Sequence, residues 1–271
     1  MVVRNTSVIL GSMILLLVVI PSLFASSLTD IDPIAINLTK RFTLPSKEAA
    51  FGTDMFGRDV FARVAYGGQT SLLVGSFVAT LAAFFGVLIG TLAGYFRVLD
   101  AILMRVMDAL MAIPGLLLAI ALVAASGTSL VTVVIAITLS EIPRVVRMVR
   151  GIVLSIREEP YVEAAVAMGI RAPAVMGRHV IPNTFGPLIV LTTYIFAHAV
   201  IVEAALGFLG VGMPPEVPSW GNMVAEGRVY FQLAPWTIFF PGLALTLTVL
   251  GINILGDGLR DTLDPRLAKR V

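Results

Sequence analysis

The chain has 271 residues, 58% of them hydrophobic and 13% charged, with a net charge of +2 and no cysteine. Water-soluble domains carry about a quarter charged residues, so this composition excludes a soluble enzyme and describes a polytopic membrane protein. The small net charge gives no support for nucleic-acid binding, and the lack of cysteine removes disulfides, thiol nucleophiles and Cys-ligated metals.

A hydrocarbon core about 30 Å thick requires about 20 apolar helical residues. Six stretches qualify, so the expected fold is all-α with six transmembrane helices: Val8–Leu28, Ser71–Phe96, Ile102–Ala125, Leu130–Val149, Phe185–Leu206 and Trp236–Gly256. The first follows Arg4 and ends near Ala25-Ser26-Ser27, the pattern of a cleaved leader. The overall span count and charge bias favour a retained helix. Residues 29–68 leave the membrane at Asp30, Asp32 and Pro33, and Asp59–Tyr66 has the spacing of a short amphipathic helix on the outer surface. The second span carries Gly86, Gly90 and Gly94 four residues apart, a small-residue stripe that calls for a closely packed helical neighbour. Between Ala109 and Ser140 no residue is charged, and Ser126-Gly127-Thr128-Ser129 divides the run into spans three and four. Glu141, Pro143 and Arg144 mark the fourth span as a helix leaving the bilayer.

Lysines and arginines orient the chain. Arg144, Arg147, Arg150, Arg157, Arg171 and Arg178 lie between spans four and five, and Arg260, Arg266, Lys269 and Arg270 follow span six. The opposite side holds Lys40, Arg41, Lys47, Arg58, Arg63 and Arg228. Both termini are therefore expected in the cytoplasm. On this reading residues 1–68 form an N-terminal span with an extracytoplasmic segment, residues 69–260 the core, and residues 261–271 a cytoplasmic tail.

No catalytic constellation is present. None of the lysines follows a glycine, so there is no P-loop, and neither His-Glu-x-x-His nor Gly-x-Ser-x-Gly occurs. The two histidines, His179 and His198, form no local metal site; His198 reads as a packed helix residue. No cofactor is expected on this chain, and energy must come from a partner.

The most unusual segment is the cytoplasmic stretch 155–183. Pro160, preceded by Glu158 and Glu159, suits a first helical turn. The helix is rich in alanine and can end at Gly169 in positive φ; Pro173 can start a second helix, which Pro182 would stop. Ala164, Ala165 and Gly169, with Ala167, offer close backbone approach to another protein, and Glu163 stands beside them as a charged anchor. The competing reading is an amphipathic helix on the bilayer surface, which would set large apolar groups opposite lysines; this helix has neither.

Glu163-Ala164-Ala165, then Gly169, then Ile181-Pro182 resembles the EAA loop of type I ABC importer permeases. His179 stands where the general pattern has Ile, and Ile181 where it has Leu; Arg-His-x-x-Pro-Asn resembles the form of the peptide-permease branch. Three further segments are similar to that branch: Gly52-Thr53-Asp54 through Asp59-Val60 to Tyr66-Gly67, Pro218–Met223, and Gly256–Asp261 with Leu263-Asp264-Pro265-Arg266. The resemblance covers residue 50 to the end and points to the second, C-type permease of the dipeptide, oligopeptide and nickel-chelate group. It implies a coupling loop comprising Glu163, Ala164, Ala165, Gly169, His179, Ile181 and Pro182, seated on a cytoplasmic ATPase. It also implies a homologous second permease, two ABC ATPase subunits that use ATP and Mg, an extracytoplasmic solute-binding protein, and a place in the bacterial inner membrane. Dipeptides, longer peptides, glutathione and metal chelates all share this scaffold.

Among polar groups at membrane depth, Glu203 fits two roles: lining an outer gate, or hydrogen-bonding to a neighbouring helix. Arg105 and Asp108, one turn apart, are expected to pair, and Asn253 and Asp257 to hold the end of span six. An ion-coupled carrier would show an inverted repeat with midplane acids, and no such repeat is evident. An intramembrane hydrolase lacks its catalytic residues.

Overall fold

The computed structural model describes residues 6–263. Its helices are α1 (Thr6–Leu23), α2 (Ala25–Leu28), α3 (Val60–Tyr95), α4 (Arg97–Met111), α5 (Gly115–Ser126), α6 (Leu130–Arg157), α7 (Pro160–Ala167), α8 (Ala172–Val175), α9 (Ile181–Phe208), α10 (Trp220–Gly227) and α11 (Trp236–Leu263). Among the described residues the only extended pairing is one bridge between Thr53 and Asp59. Arg4 and the Asp264-Pro265-Arg266 part of the C-terminal motif, with most of the expected cytoplasmic tail, lie outside the described residues.

Among the described residues, four helices are long and apolar enough to cross a membrane: α1, α3, the run Ala172–Phe208 and α11. A fifth crossing arises if α4 and α5 count together, although they bend by 86°. The expected third span, Ile102–Ala125, is therefore broken rather than straight. Pro114 caps α5 with φ −53° and ψ 128°; it has no N–H to donate and disfavours helical geometry in the residue before it. The fourth expected span is a helix of 28 residues that runs through Pro143 to Arg157, carrying its charges with it.

The second span also differs. The expected surface helix Asp59–Tyr66 is the beginning of α3, which continues for 36 residues, about 54 Å. Asp59 caps it by accepting a hydrogen bond from the Ala62 N–H at 2.7 Å. Burial pushes the Asp59 carboxyl above its usual range, opposed by the N–H groups of Ala62 and Phe61. Gly67-Gly68 does not break α3, because both glycines serve packing: a Cβ on Gly67 would meet the Ser219 backbone, and one on Gly68 the Ser22 side chain and Trp220.

The core is built on the small-residue stripe. Gly86, Gly90 and Gly94 of α3 receive Val145, Val149 and Val153 of α6, each valine fully buried. In lipid no hydrophobic force drives helices together, so this close approach holds them by dispersion and weak hydrogen bonds. The N-terminal helix α1 packs along α11 in the same manner, with Gly11 against the Gly251 and Leu255 backbones and Gly258 against Val8.

Candidate functional site

The segment that the resemblance singles out projects as α7, a sharp turn and α8. Val162 and Ala165 are buried against the chain itself, whereas Glu163, Ala164, Ala167, Met168 and Gly169 are exposed. Ala165 is therefore not part of the outward small-residue face expected from its spacing; helical periodicity turns it inward with Val162. The turn is a Schellman motif: the Gly169 N–H donates to Val166 O at 2.9 Å and the Ile170 N–H to Ala165 O at 3.2 Å. Gly169 supplies the required positive φ of 82°, and nothing lies within 4 Å of the place its Cβ would take.

Pro182 does not stop the second helix. Met176–Val180 forms a π turn that passes directly into α9, with Pro182 in the first turn of that helix. A proline there has no N–H to satisfy, and the wider turn removes its clash with the preceding carbonyls. His179 lies in the π turn. Its ring is 6.1 Å from that of Tyr161, and Asn183 Nδ2 donates to His179 O at 2.6 Å. Ile181, half-buried, opens α9. The knob is thus fixed to the membrane helix on one side. On the other, Arg157 donates to Tyr95 O at 3.0 Å, joining the C-terminal ends of α6 and α3. An open cleft remains, lined by Phe96, Arg97, Arg157, Glu163 and Val166. Glu163 has no ion-pair partner among the described residues.

Glu203 is fully buried. Ser71 Oγ donates to its Oε2 at 3.0 Å, and the Trp220 N–H reaches the same hydroxyl at 3.4 Å. The carboxylate thus lies where α9, α3 and the start of α10 meet, and its Oε1 has no hydrogen-bond partner among the described residues. Asn222 completes this end of the bundle: its Nδ2 donates to the carbonyls of Met213, Pro214 and Val217 at 3.1, 3.2 and 3.4 Å.

Two arrangements were not read from the sequence. Asp54, Arg58, Arg63 and Glu226 form a neutral, largely buried ion network that ties the segment before α3 to α10: Arg58 Nε is 2.6 Å from Asp54 Oδ2, and Arg63 Nη1 is 2.8 Å from Asp54 Oδ2 and 2.7 Å from Glu226 Oε2. The Gly-Thr-Asp and Gly-Arg-Asp stretches are the only signal of it. Asp108 pairs with Arg147 at 2.6 Å and not with Arg105, while Asp100 takes Arg150. Two ion pairs thereby fasten α4 across α6, a tertiary choice that local spacing does not reveal.

No group of three or more His, Cys, Asp or Glu side chains suited to a metal occurs among the described residues. What the structure offers is a bundle with a charged, exposed knob at one end and a tightly tied cap at the other.

The sequence profile of the binding-protein-dependent transport system inner membrane component family matches residues 86–269. A probable peptide ABC transporter permease protein of Sinorhizobium fredii is 51% identical over 267 residues, covering 98% of this chain and 91% of that protein. The dipeptide transport system permease protein DppC of Alkalihalophilus pseudofirmus is 43% identical over 265 residues, covering 97% and 87%. Among solved structures, a chain of the MetNI methionine ABC transporter in an inward-facing form aligns with a TM-score of 0.54 at 18% identity, covering 76% of this chain and 94% of that one. That likeness concerns the fold alone. Family profile and relatives together show that this multi-pass membrane chain belongs to the family of inner-membrane permease components of binding-protein-dependent transport systems.

Proposed function

We propose that this chain is one of two homologous permeases in a bacterial inner-membrane importer for dipeptides, oligopeptides or closely related small solutes. Six crossings are formed by α1, α3, the broken pair α4–α5, α6, α9 and α11, with both termini in the cytoplasm. An extracytoplasmic binding protein delivers the solute, and two cytoplasmic ATPase subunits, using ATP and Mg, power the cycle. The coupling element is the knob, through Glu163, Ala164 and Gly169 on its surface and Ala165, His179, Ile181 and Pro182 behind it.

The observation that carries this reading is the exposed α7, with Glu163 unpaired among the described residues and a Schellman turn at its end. The short α8 runs into α9 through a continuous π turn, and His179 and Asn183 of that run meet Tyr161 of α7, so a push on the knob is passed to α9, because packed elements shift as units. The names of the relatives support peptides as the solute class. ATP-driven closure of the ATPases then moves the knob and changes the side from which the pathway opens.

Reconstitution tests it. The purified chain alone is expected to hydrolyse no ATP. Proteoliposomes holding both permeases, the ATPases and the binding protein are expected to accumulate labelled di- and tripeptides only with ATP. Peptide uptake that is independent of ATP, or hydrolysis by the isolated chain, would refute the assignment.

A further inference from the structure

Halfway along the bundle, four side chains of α6 and α9 form a polar patch that the coupling account does not use. Glu141 lies at its base, with only 4% of its side chain exposed. Arg144 Nη1 donates to Glu141 Oε2 at 2.9 Å, and His198 Nδ1 is 3.1 Å from Glu141 Oε1. The Arg144 guanidinium lies 4.9 Å over the Tyr194 ring, and that ring stacks on His198 at 5.9 Å with 13° between planes. The base is closed and the top is open: the side chains of Arg144 and His198 are 40% and 35% exposed, and Tyr194 45%.

Position along the helices bears on what this face can meet. Arg144 is the fifteenth residue of the 28 in α6, and Tyr194 the fourteenth of the 28 in α9. Each is about 20 Å along the axis from either helix end, and Arg144 lies within Leu130–Val149, the stretch that hydropathy assigns to the fourth span. A half-exposed guanidinium within a span is unfavourable against lipid tails, so such groups face protein or a water-filled passage.

From this geometry we infer that Arg144, Tyr194 and His198 form a transit subsite in the translocation pathway that receives the α-carboxylate of a passing peptide. The inference rests on the permease reading above. Its chemistry follows from the donors: the bond to Glu141 uses Nη1, and most of the five N–H donors of the guanidinium stay free for a second acceptor. A planar fork held flat on an aromatic ring suits a carboxylate taken in two-pronged fashion. Glu141 beneath it lowers the net charge. The hold is thereby kept weak, as conduction requires of a site that must also release its ligand.

The test uses the complete transporter, with tri-alanine and tri-alanine amide as probes. Because this chain has no cysteine, Tyr194→Cys and His198→Cys can be followed on the separated subunit. Both are expected to react with a water-soluble maleimide in the nucleotide-free or the vanadate-trapped state. Arg144→Gln, measured at saturating binding protein, is expected to lower tri-alanine uptake at least tenfold and tri-alanine amide uptake less than twofold, with Arg144→Lys in between. The binding protein's own preference cancels, since each substrate is compared between variant and wild type. Should Arg144→Gln fail to co-purify with its partners, the double variant Glu141→Gln/Arg144→Gln removes both charges and must show the same selective loss. Two results overturn the subsite: no maleimide reaction in either state, which means that the face packs against another permease, or an equal loss for both peptides. A wild-type complex with no ATP-driven uptake of either peptide would refute the permease reading itself, and the subsite with it.

Discussion

Gly90→Ala tests the packing at the centre of the fold. An added Cβ would lie 2.8 Å from Val149 Cβ, 3.0 Å from Val149 Cγ1 and 2.9 Å from Val146 O. Ordinary contacts begin several tenths of an ångström further out, and two of these three atoms are fixed by the α6 backbone, so no rotamer change relieves the overlap. The helices must separate, and overpacking of this kind costs about 1–3 kcal/mol. The same substitution also raises helix propensity by about 0.8–1 kcal/mol, so the net loss is smaller than the clash. Gly151→Ala in α6 separates the two effects, because nothing lies within 4 Å of its added Cβ. It should therefore stabilise by the propensity gain alone, leaving a difference of about 1–3 kcal/mol between the variants. Titration of the purified protein with SDS in mixed micelles reads this out, since both tryptophans, Trp220 and Trp236, are buried. Equal effects of the two substitutions would refute the α3–α6 interface described here.

Three more outcomes follow from particular contacts. Asp54→Asn leaves Arg58 and Arg63 under-neutralised in a buried network; breaking such a cluster costs about 3–5 kcal/mol, visible as a lower melting temperature of the detergent-solubilised complex. Asp108→Asn should cost at most about 1 kcal/mol in the same assay, because its pair with Arg147 is exposed. For topology, exposed Ser46→Cys and Gln232→Cys should react with an impermeant thiol reagent in intact cells, while exposed Met168→Cys should react only after the membrane is opened; outside labelling of position 168 would invert the arrangement.

Much of the fold was legible because apolar length and small-residue spacing act locally. The helices α1, α9 and α11 fall where hydropathy puts them, and the stripe at Gly86, Gly90 and Gly94 announced a neighbour without saying which. The start of α3 was misread because Asp59–Tyr66 has the spacing of a separate short helix, whereas Gly67 and Gly68, packed against Ser219, Ser22 and Trp220, carry it on into α3. The break at Pro114 was hidden inside an uncharged run, where a membrane helix can absorb a proline. At the knob, the positive φ of Gly169 was legible from residue type, since only glycine adopts it without strain. The fate of Pro182 was not, because a π turn leaves no periodic signature. Partner choice was the least legible: Asp108 has Arg105 one turn away, yet takes Arg147 from another helix. The Glu141–Arg144–His198 contact joins residues more than fifty positions apart.

The central claim is that the exposed face of α7 couples ATP hydrolysis to transport. The most direct measurement compares peptide uptake and ATP hydrolysis in proteoliposomes carrying the complete transporter with wild-type chain, Glu163→Lys, Gly169→Val or the control Ser46→Ala. Glu163 is exposed and unpaired among the described residues, and Gly169 adopts φ 82°, which a β-branched residue resists. Both variants are therefore expected to insert and accumulate like the control, while binding-protein-stimulated hydrolysis and uptake fall together by at least tenfold. Coupled transport at the control level in both variants would contradict the account.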